Sequence, residues 1–223
     1  HDFNNLLTAI MGNTELSLMQ LPPERPEVEN LQQVMQAARR AWQIVKQILT
    51  FSRRSEPSRE LLAVSAIMEE TVSFLRSAAC GTVEFVHEKA DGLPRIVADG
   101  AQVHQVLMNI GTNALQAMQG RRGVLTLTEE EIVLGEEVQS QHPKLKPGRY
   151  VRLGFRDTGP GMNDEVKERI FEPFYRMPGH AEHAGGVGLG LSLVRQIARR
   201  HGGDVVCDAP PSGGGRFTIS LPG

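Results

Sequence analysis

Two asparagines, Asn109 and Asn113, are spaced so that they could act on one ligand. They lie four residues apart in a predicted helix over residues 100–119, so their side-chain oxygens point the same way. Asparagine is a poor helix former, yet this face carries amides throughout: Gln102, Gln105, Asn109, Asn113 and Gln116. Oxygen ligands with room for water suit Mg²⁺ that is bound to phosphates. A solvated amide face explains the pattern equally well at this point.

A carboxylate followed by glycines ends the strand predicted at 149–156. The segment reads Asp157-Thr158-Gly159-Pro160-Gly161-Met162. Glycine lets the backbone approach a ligand closely, and a carboxylate can accept a hydrogen bond from an exocyclic amine such as that of adenine. An ordinary turn is the alternative, because Asp, Gly and Pro all favour turns.

A second glycine-rich stretch, residues 185–192, precedes a helix predicted at 189–201. Exposed amides at the N-terminus of a helix favour phosphate. The stretch is not a Walker loop, because no Gly-Lys-Ser/Thr follows, and it is not the dinucleotide motif, which would need glycine where Leu191 stands. A flexible hinge is the alternative. With the apolar segment Phe171–Tyr175 before it, the span 176–188 is predicted to act as a lid.

The histidine at the start of HDFNNLL could be a switchable nucleophile, because a neutral imidazole is available near pH 7. A helical wheel places His1 opposite the apolar stripe of its helix, on the same face as Asn5 and Thr8. Asp2 could orient or deprotonate it. An ordinary exposed residue at a chain end is the alternative.

Two predicted domains would position these groups. Residues 1–54 read as a helical hairpin, with helices at 1–21 and 28–53 around a proline-rich turn. Each helix has one apolar stripe, which predicts a dimeric four-helix bundle. Residues 60–223 mix helices and strands without regular alternation, which predicts an α+β fold with a mixed sheet and helices on one face. The helices are predicted at 65–79, 100–119, 163–170 and 189–201, and the strands at 82–86, 95–97, 123–134, 149–156, 203–207 and 216–221.

Composition excludes several classes of protein. The 223 residues carry a net charge of −2 without a long basic run, so we expect no nucleic-acid partner. Cys80 and Cys207 lack the spacing of a metal site and indicate a reducing compartment. No apolar run approaches the roughly 20 residues that span a bilayer. We expect a cytoplasmic fragment of a longer protein.

Taken in order, these segments resemble a bacterial sensor histidine kinase over nearly the whole chain. His1–Leu7 resembles the H box of that family, Asn109–Ala114 its N box and Asp157–Met162 its G1 box. The F and G2 boxes are matched by 171–175 and 186–190. The HDFNN form is most similar to PAS-linked and hybrid kinases.

The resemblance implies a hairpin followed by an α+β sandwich of the histidine kinase, Hsp90 and gyrase type. It implies that His1 attacks the γ-phosphate of ATP and that the phosphoryl group then passes to an aspartate of a response-regulator receiver. Asp2 would be the hydrogen-bond partner or base of His1, and Asn5 would position water when the receiver is dephosphorylated. The implied partners are a second copy of the chain, the receiver, in trans or fused, and an upstream sensor such as a PAS domain.

The resemblance also implies ATP and Mg²⁺ as cofactors. Asn113 would bind the metal, Asn109 would lie near the phosphates, and Asp157 would contact the adenine amine. The full set expected at the nucleotide is Asn109, Asn113, Gln116, Asp157, Gly159, Gly161, Met162, Ile170, Tyr175, Arg176, Gly186, Gly188, Leu189, Gly190 and Leu191.

Three positions depart from the family pattern, and two other functions compete with it. Leu6 replaces a common proline, Gln116 a common phosphate-binding lysine, and Val187 a common threonine. A related ATPase clamp, as in gyrase or Hsp90, would need a catalytic glutamate where Asn109 stands. A non-catalytic docking module is the third hypothesis.

Overall fold

The computed structural model describes residues 2–22, 24–52, 58–79, 81–135, 145–177, 187–210 and 213–223. Two antiparallel helices, α1 (Asp2–Gln20) and α2 (Pro26–Ser52), come first. They are followed by β1 (Glu60–Leu62), α3 (Val64–Ala78), β2 (Val83–Lys89), β3 (Ile96–Ala98), α4 (Gly100–Ala117), β4 (Gly123–Leu134), β5 (Gly148–Asp157), α5 (Asp164–Arg169), α6 (Gly190–Arg200), β6 (Asp204–Asp208) and β7 (Arg216–Pro222). In the described part of the chain, no helix is both long and apolar enough to cross a membrane.

The hairpin buries only part of its apolar stripe. Leu7, Met35 and Ala38 lie in the seam between α1 and α2, whereas Leu6 and Ile10 remain exposed. Two helices have one mutual face, so the remainder of each stripe has no cover within a single hairpin.

The strands form a mixed five-stranded sheet in the order β2-β4-β5-β7-β6 and a two-stranded sheet of β1 and β3. β2 and β4 are parallel, and the other pairs are antiparallel. The predicted fold class, a helical hairpin followed by an α+β sandwich, is therefore confirmed. Residues 53–57, between the two predicted domains, lie outside the described residues. The domain division at 54 and 60 stays a prediction.

Helices α3, α4 and α6 cover one face of the larger sheet, and the core lies between them. One face of α4 carries five buried apolar residues at three- and four-residue spacing: Val103, Val106, Leu107, Ile110 and Ala114. Gly111 also lies on this face, where a Cβ would overlap Leu75 of α3. Glycine therefore permits α3 and α4 to pack closely, and this packing turns the amide face of α4 away from α3.

A buried histidine joins α4 to α6. His201 Nδ1 lies 2.9 Å from the carbonyl oxygen of Ile197, which can only accept, so Nδ1 donates. Nε2 then accepts the backbone N–H of Asp99 at 3.1 Å. The side chain of Asp99 caps α4 by accepting from the N–H of Gln102. The neutral tautomer of His201 thus sets the start of α4 against the end of α6.

Glu129 is a fully buried carboxylate on the core side of β4. Its Oε2 accepts from Ser65 Oγ at 2.6 Å, and its Oε1 lies 2.7 Å from His87 Nε2. The residue before α3, Ala63, has no side chain that could cap the helix. The Ser65 contact therefore ties the first turn of α3 to the sheet.

We expect Glu129→Ala to lower the free energy of unfolding by about 3 kcal/mol, because it removes a fully buried hydrogen-bonded side chain and leaves the half-buried polar groups of Ser65 and His87 without their partner. Glu130→Ala is the matched control on the same strand. Its ion pair with Arg152 is half-exposed, so we expect a loss below about 1 kcal/mol. Urea unfolding measures both, and equal losses would contradict the assignment.

Candidate functional site

A cavity of about 310 Å³ opens between α4, the end of β5 and the start of α6. α4 and the turn after it contribute Asn109, Thr112, Asn113, Ala114, Gln116, Ala117 and Gln119 to its wall. Asp157 ends β5, and Pro160, Gly161 and Met162 follow it. α5 and the segment after it contribute Val166, Ile170, Tyr175, Arg176 and Met177. Val187 and Gly188 precede α6, which contributes Gly190 and Leu191. Gly215 precedes β7, which contributes Phe217.

Most residues that the sequence predicted at a nucleotide line this cavity. The twelve are Asn109, Asn113, Gln116, Asp157, Gly161, Met162, Ile170, Tyr175, Arg176, Gly188, Gly190 and Leu191. Gly159 lies behind Asp157 and donates to it, and Leu189 is buried at the start of α6. Their roles toward a ligand stay predictions.

The remaining predicted residues lie elsewhere or outside the described residues. Gln102 bonds to Asp99 at the first turn of α4, and neither it nor Gln105 is among the residues that line the cavity. Asn5 is exposed on α1. His1 and Gly186 lie outside the described residues, and the side chain of Asp2 is not described.

Several residues of the cavity were not predicted: Thr112, Ala114, Ala117, Gln119, Pro160, Val166, Met177, Val187, Gly215 and Phe217. Ala117 follows Asn113 by four residues on α4 and could have been found from helical spacing. Gly215 and Phe217 could not, because only the pairing of Arg156 with Arg216 brings β7 to the end of β5.

Asp157 is the buried acid of the cavity. Its Oδ1 accepts the backbone N–H of Gly159 at 2.8 Å and that of Gly215 at 3.2 Å. Within the described part of the chain, both of these bonds end on Oδ1. Burial raises the pKa of the Asp157 carboxyl above its ordinary range, and the two backbone donors partly oppose that rise.

The start of α6 presents backbone donors to the cavity. α6 begins at Gly190 without a side-chain cap, so the side chains leave the first N–H groups of the helix available. Asn109 Nδ2 lies 3.4 Å from the carbonyl oxygen of Gly190, which places the amide face of α4 beside this terminus. Such a helix end favours an anionic group.

A backbone clasp joins the two ends of the segment between α5 and α6. Phe174 donates its N–H to the carbonyl oxygen of Gly188 at 2.9 Å. Gly188 has φ +76°, and a Cβ there would stand 2.6 Å from the carbonyl oxygen of Tyr175. Phe174 itself has φ 66°, a conformation that is rare for a bulky residue. This clasp fixes Tyr175 in the cavity wall, where the Arg169 guanidinium lies 4.7 Å from its ring centre.

The cavity contains few groups that could hold a metal ion. Among the described residues there is no cluster of three or more His, Cys, Asp or Glu side chains suited to a metal. Asn109 and Asn113 line the cavity, and each carries one side-chain amide oxygen. A divalent ion would therefore depend on amide oxygens, water and oxygens of the ligand itself.

Comparison with protein families and curated proteins gave consistent matches. A family model described as "Histidine kinase-, DNA gyrase B-, and HSP90-like ATPase" matches residues 98–223, and one described as "His Kinase A (phospho-acceptor) domain" matches residues 1–57. The sensor kinase CckA of Brucella abortus (strain 2308) is 33% identical over all of this chain and 23% of its own length. The histidine-protein kinase AtoS of Escherichia coli (strain K12) is 30% identical over all of this chain and 33% of its own length. The chain thus spans a third or less of these two relatives.

Solved structures share the fold. Full-length ShkA in complex with AMPPNP has a TM-score of 0.78 and 22% identity, covering all of this chain and 44% of ShkA. The nucleotide-free catalytic domain of histidine kinase ThkA has a TM-score of 0.60 and 25% identity, covering 74% of this chain and 95% of that domain.

The importance of the clasp can be tested by comparing the stability of the Gly188→Ala variant with that of the Gly120→Ala variant. Both glycines have nearly the same positive φ, but a Cβ at Gly120 meets nothing within 4 Å. The strain of that backbone conformation is common to both variants, so their difference isolates the collision with Phe174 and Tyr175. We expect Gly188→Ala to unfold more easily by at least about 1 kcal/mol and to exchange its Phe174 amide proton faster. Identical stability and exchange in the two variants would contradict the clasp.

Asp157→Asn tests the raised pKa through its pH dependence. The folded state holds the Asp157 proton more tightly than the unfolded state. The stabilising contribution of this group is therefore complete below its ordinary pKa of 3.8 and is lost as the pH rises through the folded value. We expect Asp157→Asn to raise the free energy of unfolding at pH 7 and to lose this advantage in acid.

Asp164→Asn is the control of opposite sign. Its hydrogen bond with Lys167 lowers the pKa of that exposed carboxyl. Its contribution is present above the ordinary pKa and is lost as the pH falls, so Asp164→Asn should destabilise at pH 7. Urea unfolding across the pH range measures both variants, and slopes of the same sign would refute the assignment of Asp157.

Proposed function

This chain belongs to the histidine kinase-, DNA gyrase B- and HSP90-like ATPase family as a sensor histidine kinase core, and we propose that it transfers the γ-phosphoryl group of ATP to His1. The phosphoryl group then passes to an aspartate of a response-regulator receiver domain. The observation that carries this proposal is a cavity with a buried acceptor at one end of α4 and phosphate-binding groups further along it.

The two ends of the cavity are separated by the right length for a nucleotide. Asp157 lies beside Ala117, since a Cβ at Gly159, which bonds to Asp157, would come within 3.1 Å of the Ala117 Cβ. Asn109, which contacts Gly190, precedes Ala117 by eight residues on α4. The two positions are therefore about 12 Å apart along the helix axis. We therefore assign adenine to Asp157 and the phosphates to Asn109 and the start of α6.

Asn113 is the proposed ligand of Mg²⁺, through its side-chain oxygen. Its place next to the phosphate end fits a hard cation that keeps several waters and takes its other ligands from phosphates. When bound, the cation would neutralise the phosphate charge. Arg176 also lines the cavity and supplies a positive charge to the same ligand, whereas Gln116 supplies none.

The proposed transfer forms one bond and breaks one. A ring nitrogen of His1 attacks the γ-phosphorus, the bond from that phosphorus to the bridging oxygen breaks, and ADP leaves. Asp2 orients the imidazole or takes its proton. Such a transfer chiefly requires positioning and charge neutralisation, which the amide face, the helix terminus and Arg176 can provide.

The hairpin is the proposed dimer interface and receiver-docking element. Its exposed apolar side chains would be covered by a second copy in a four-helix bundle: Leu6, Ile10, Leu16, Val34 and Trp42. Asn5 is exposed on α1, so it can reach the water that dephosphorylates a bound receiver. An upstream sensor such as a PAS domain would control the activity.

An ATP-hydrolysing clamp is the competing function, and the cavity disfavours it. Such an enzyme needs a carboxylate to activate water. Among the described residues that line the cavity, Asp157 supplies the one carboxylate, and it is assigned to the base. The amide of Asn109 cannot accept a proton.

Incubation with γ-labelled ATP and Mg²⁺ separates the candidate functions. We expect label on the protein that is labile in acid and stable in base, and we expect His1→Gln to bind ATP as tightly as the parent while taking no label. Asp157→Ala should lose both binding and label. Phosphate release without labelled protein would support the clamp, and no nucleotide binding would support a docking module.

A further inference from the structure

The backbone at the start of β7 holds the acid that we assign to adenine. Gly215 donates its N–H to Asp157 Oδ1 at 3.2 Å and accepts the N–H of Asp157 on its own carbonyl oxygen at 3.0 Å. This double contact sets both the main chain and one side-chain oxygen of Asp157. The position of the carboxylate is therefore controlled by a residue 58 positions later in the chain.

The glycines at 213–215 are not equivalent. Gly213 and Gly214 have φ +83° and +82°, so both need glycine for the same backbone reason. A Cβ at Gly213 would meet nothing within 4 Å, whereas one at Gly214 would overlap the carbonyl oxygen of Asp157. Gly214 thus permits the close approach of β7 to the end of β5.

Position 215 requires glycine only because a Cβ there would have too little space. Its φ lies outside the left-handed region, so an alanine would find no backbone strain there. A Cβ would stand 2.9 Å from Asp157 Oδ2 and 3.3 Å from Met162 Cε. Asp157, Met162 and Gly215 all line the cavity. The missing side chain therefore leaves open the space beside Oδ2, the oxygen that the two backbone donors do not use.

We propose that Gly215 determines the base specificity of the cavity, by keeping Asp157 Oδ2 open to an exocyclic amine. The inference rests on the proposed function, because it takes the cavity ligand to be a nucleotide. An ionised carboxylate only accepts hydrogen bonds, so it favours a base with an amino group and opposes one with a carbonyl oxygen at the same place. A methyl group at 215 would fill the space beside Oδ2 and hinder this bond.

The test compares ATP with purine riboside triphosphate, which lacks the exocyclic amine. In the unaltered protein ATP should bind more tightly than the analogue. We expect Gly215→Ala to weaken ATP binding by roughly ten- to a hundredfold and to change analogue binding by less than about threefold, since the lost bond is one that only ATP makes. Gly100→Ala is the control, because its Cβ would meet only ordinary contacts at 3.7 Å and beyond. It should alter neither affinity.

Equal losses for the two nucleotides in Gly215→Ala would overturn the inference and leave the proposed function standing. Failure of the unaltered protein to bind either nucleotide would overturn both.

A measurement on the unaltered protein covers the case in which Gly215→Ala does not fold. The Gly215 amide resonance should shift with ATP and much less with the analogue, because the amide shares its carboxylate with the amine, and the Gly213 amide serves as reference. Equal shifts at Gly215 for both nucleotides would also overturn the inference.

Discussion

A carboxylate buried at the end of β5 is the group on which the rest of the site depends. Burial disfavours the charge of Asp157, so the fold must bring donors to it without filling the space beside it. Backbone N–H groups do this most compactly, because they need no side chain. Gly159 and Gly215 supply them, and Gly214 lets β7 approach. Glycines of two separate segments thus stabilise the charge of one carboxylate. Because glycine loses more conformational entropy on folding than other residues, they also lower the stability of the folded chain.

The opposite end of the cavity depends on how α4 is held. Gly111 permits the close packing of α4 on Leu75, and His201 ties the cap residue Asp99 to the last turn of α6. These contacts fix both the rotation of α4 about its axis and its distance from α6. Asn109 consequently lies beside Gly190, at the end of α6 that favours phosphate. Packing of the buried face of α4 in the core therefore determines where the polar groups on its other face lie.

The spacing of apolar and polar residues predicted most helices and strands and the parts of the site that lie on one helix. It did not predict the parts that depend on contacts between segments distant in sequence. The strand at 123–134 has the predicted bounds, and Asn109, Asn113 and Gln116 share the cavity as their helical spacing indicates. Gln105 has the same spacing but does not line the cavity, because the amide face of α4 extends beyond the part of the helix that borders the cavity. β1 has only three residues, so it has no pattern of its own and exists through its pairing with β3. The contribution of Gly215 is encoded by strand pairing, which no short motif reveals.

The chemistry of the cavity bears on where the nucleophile must come from. Among its described lining residues the carboxylate of Asp157 lies at the end that we assign to the base, and the end that we assign to the phosphates presents amides, a helix terminus and Arg176. The groups at the second end are suited to bind and neutralise phosphate, but none of them can take a proton from water near pH 7. In the proposed reaction a bound ATP therefore persists until a nucleophile arrives from another part of the protein. In this proposal His1 meets that need, so the approach of His1 to the cavity, rather than ATP binding, becomes the step that a signal can control.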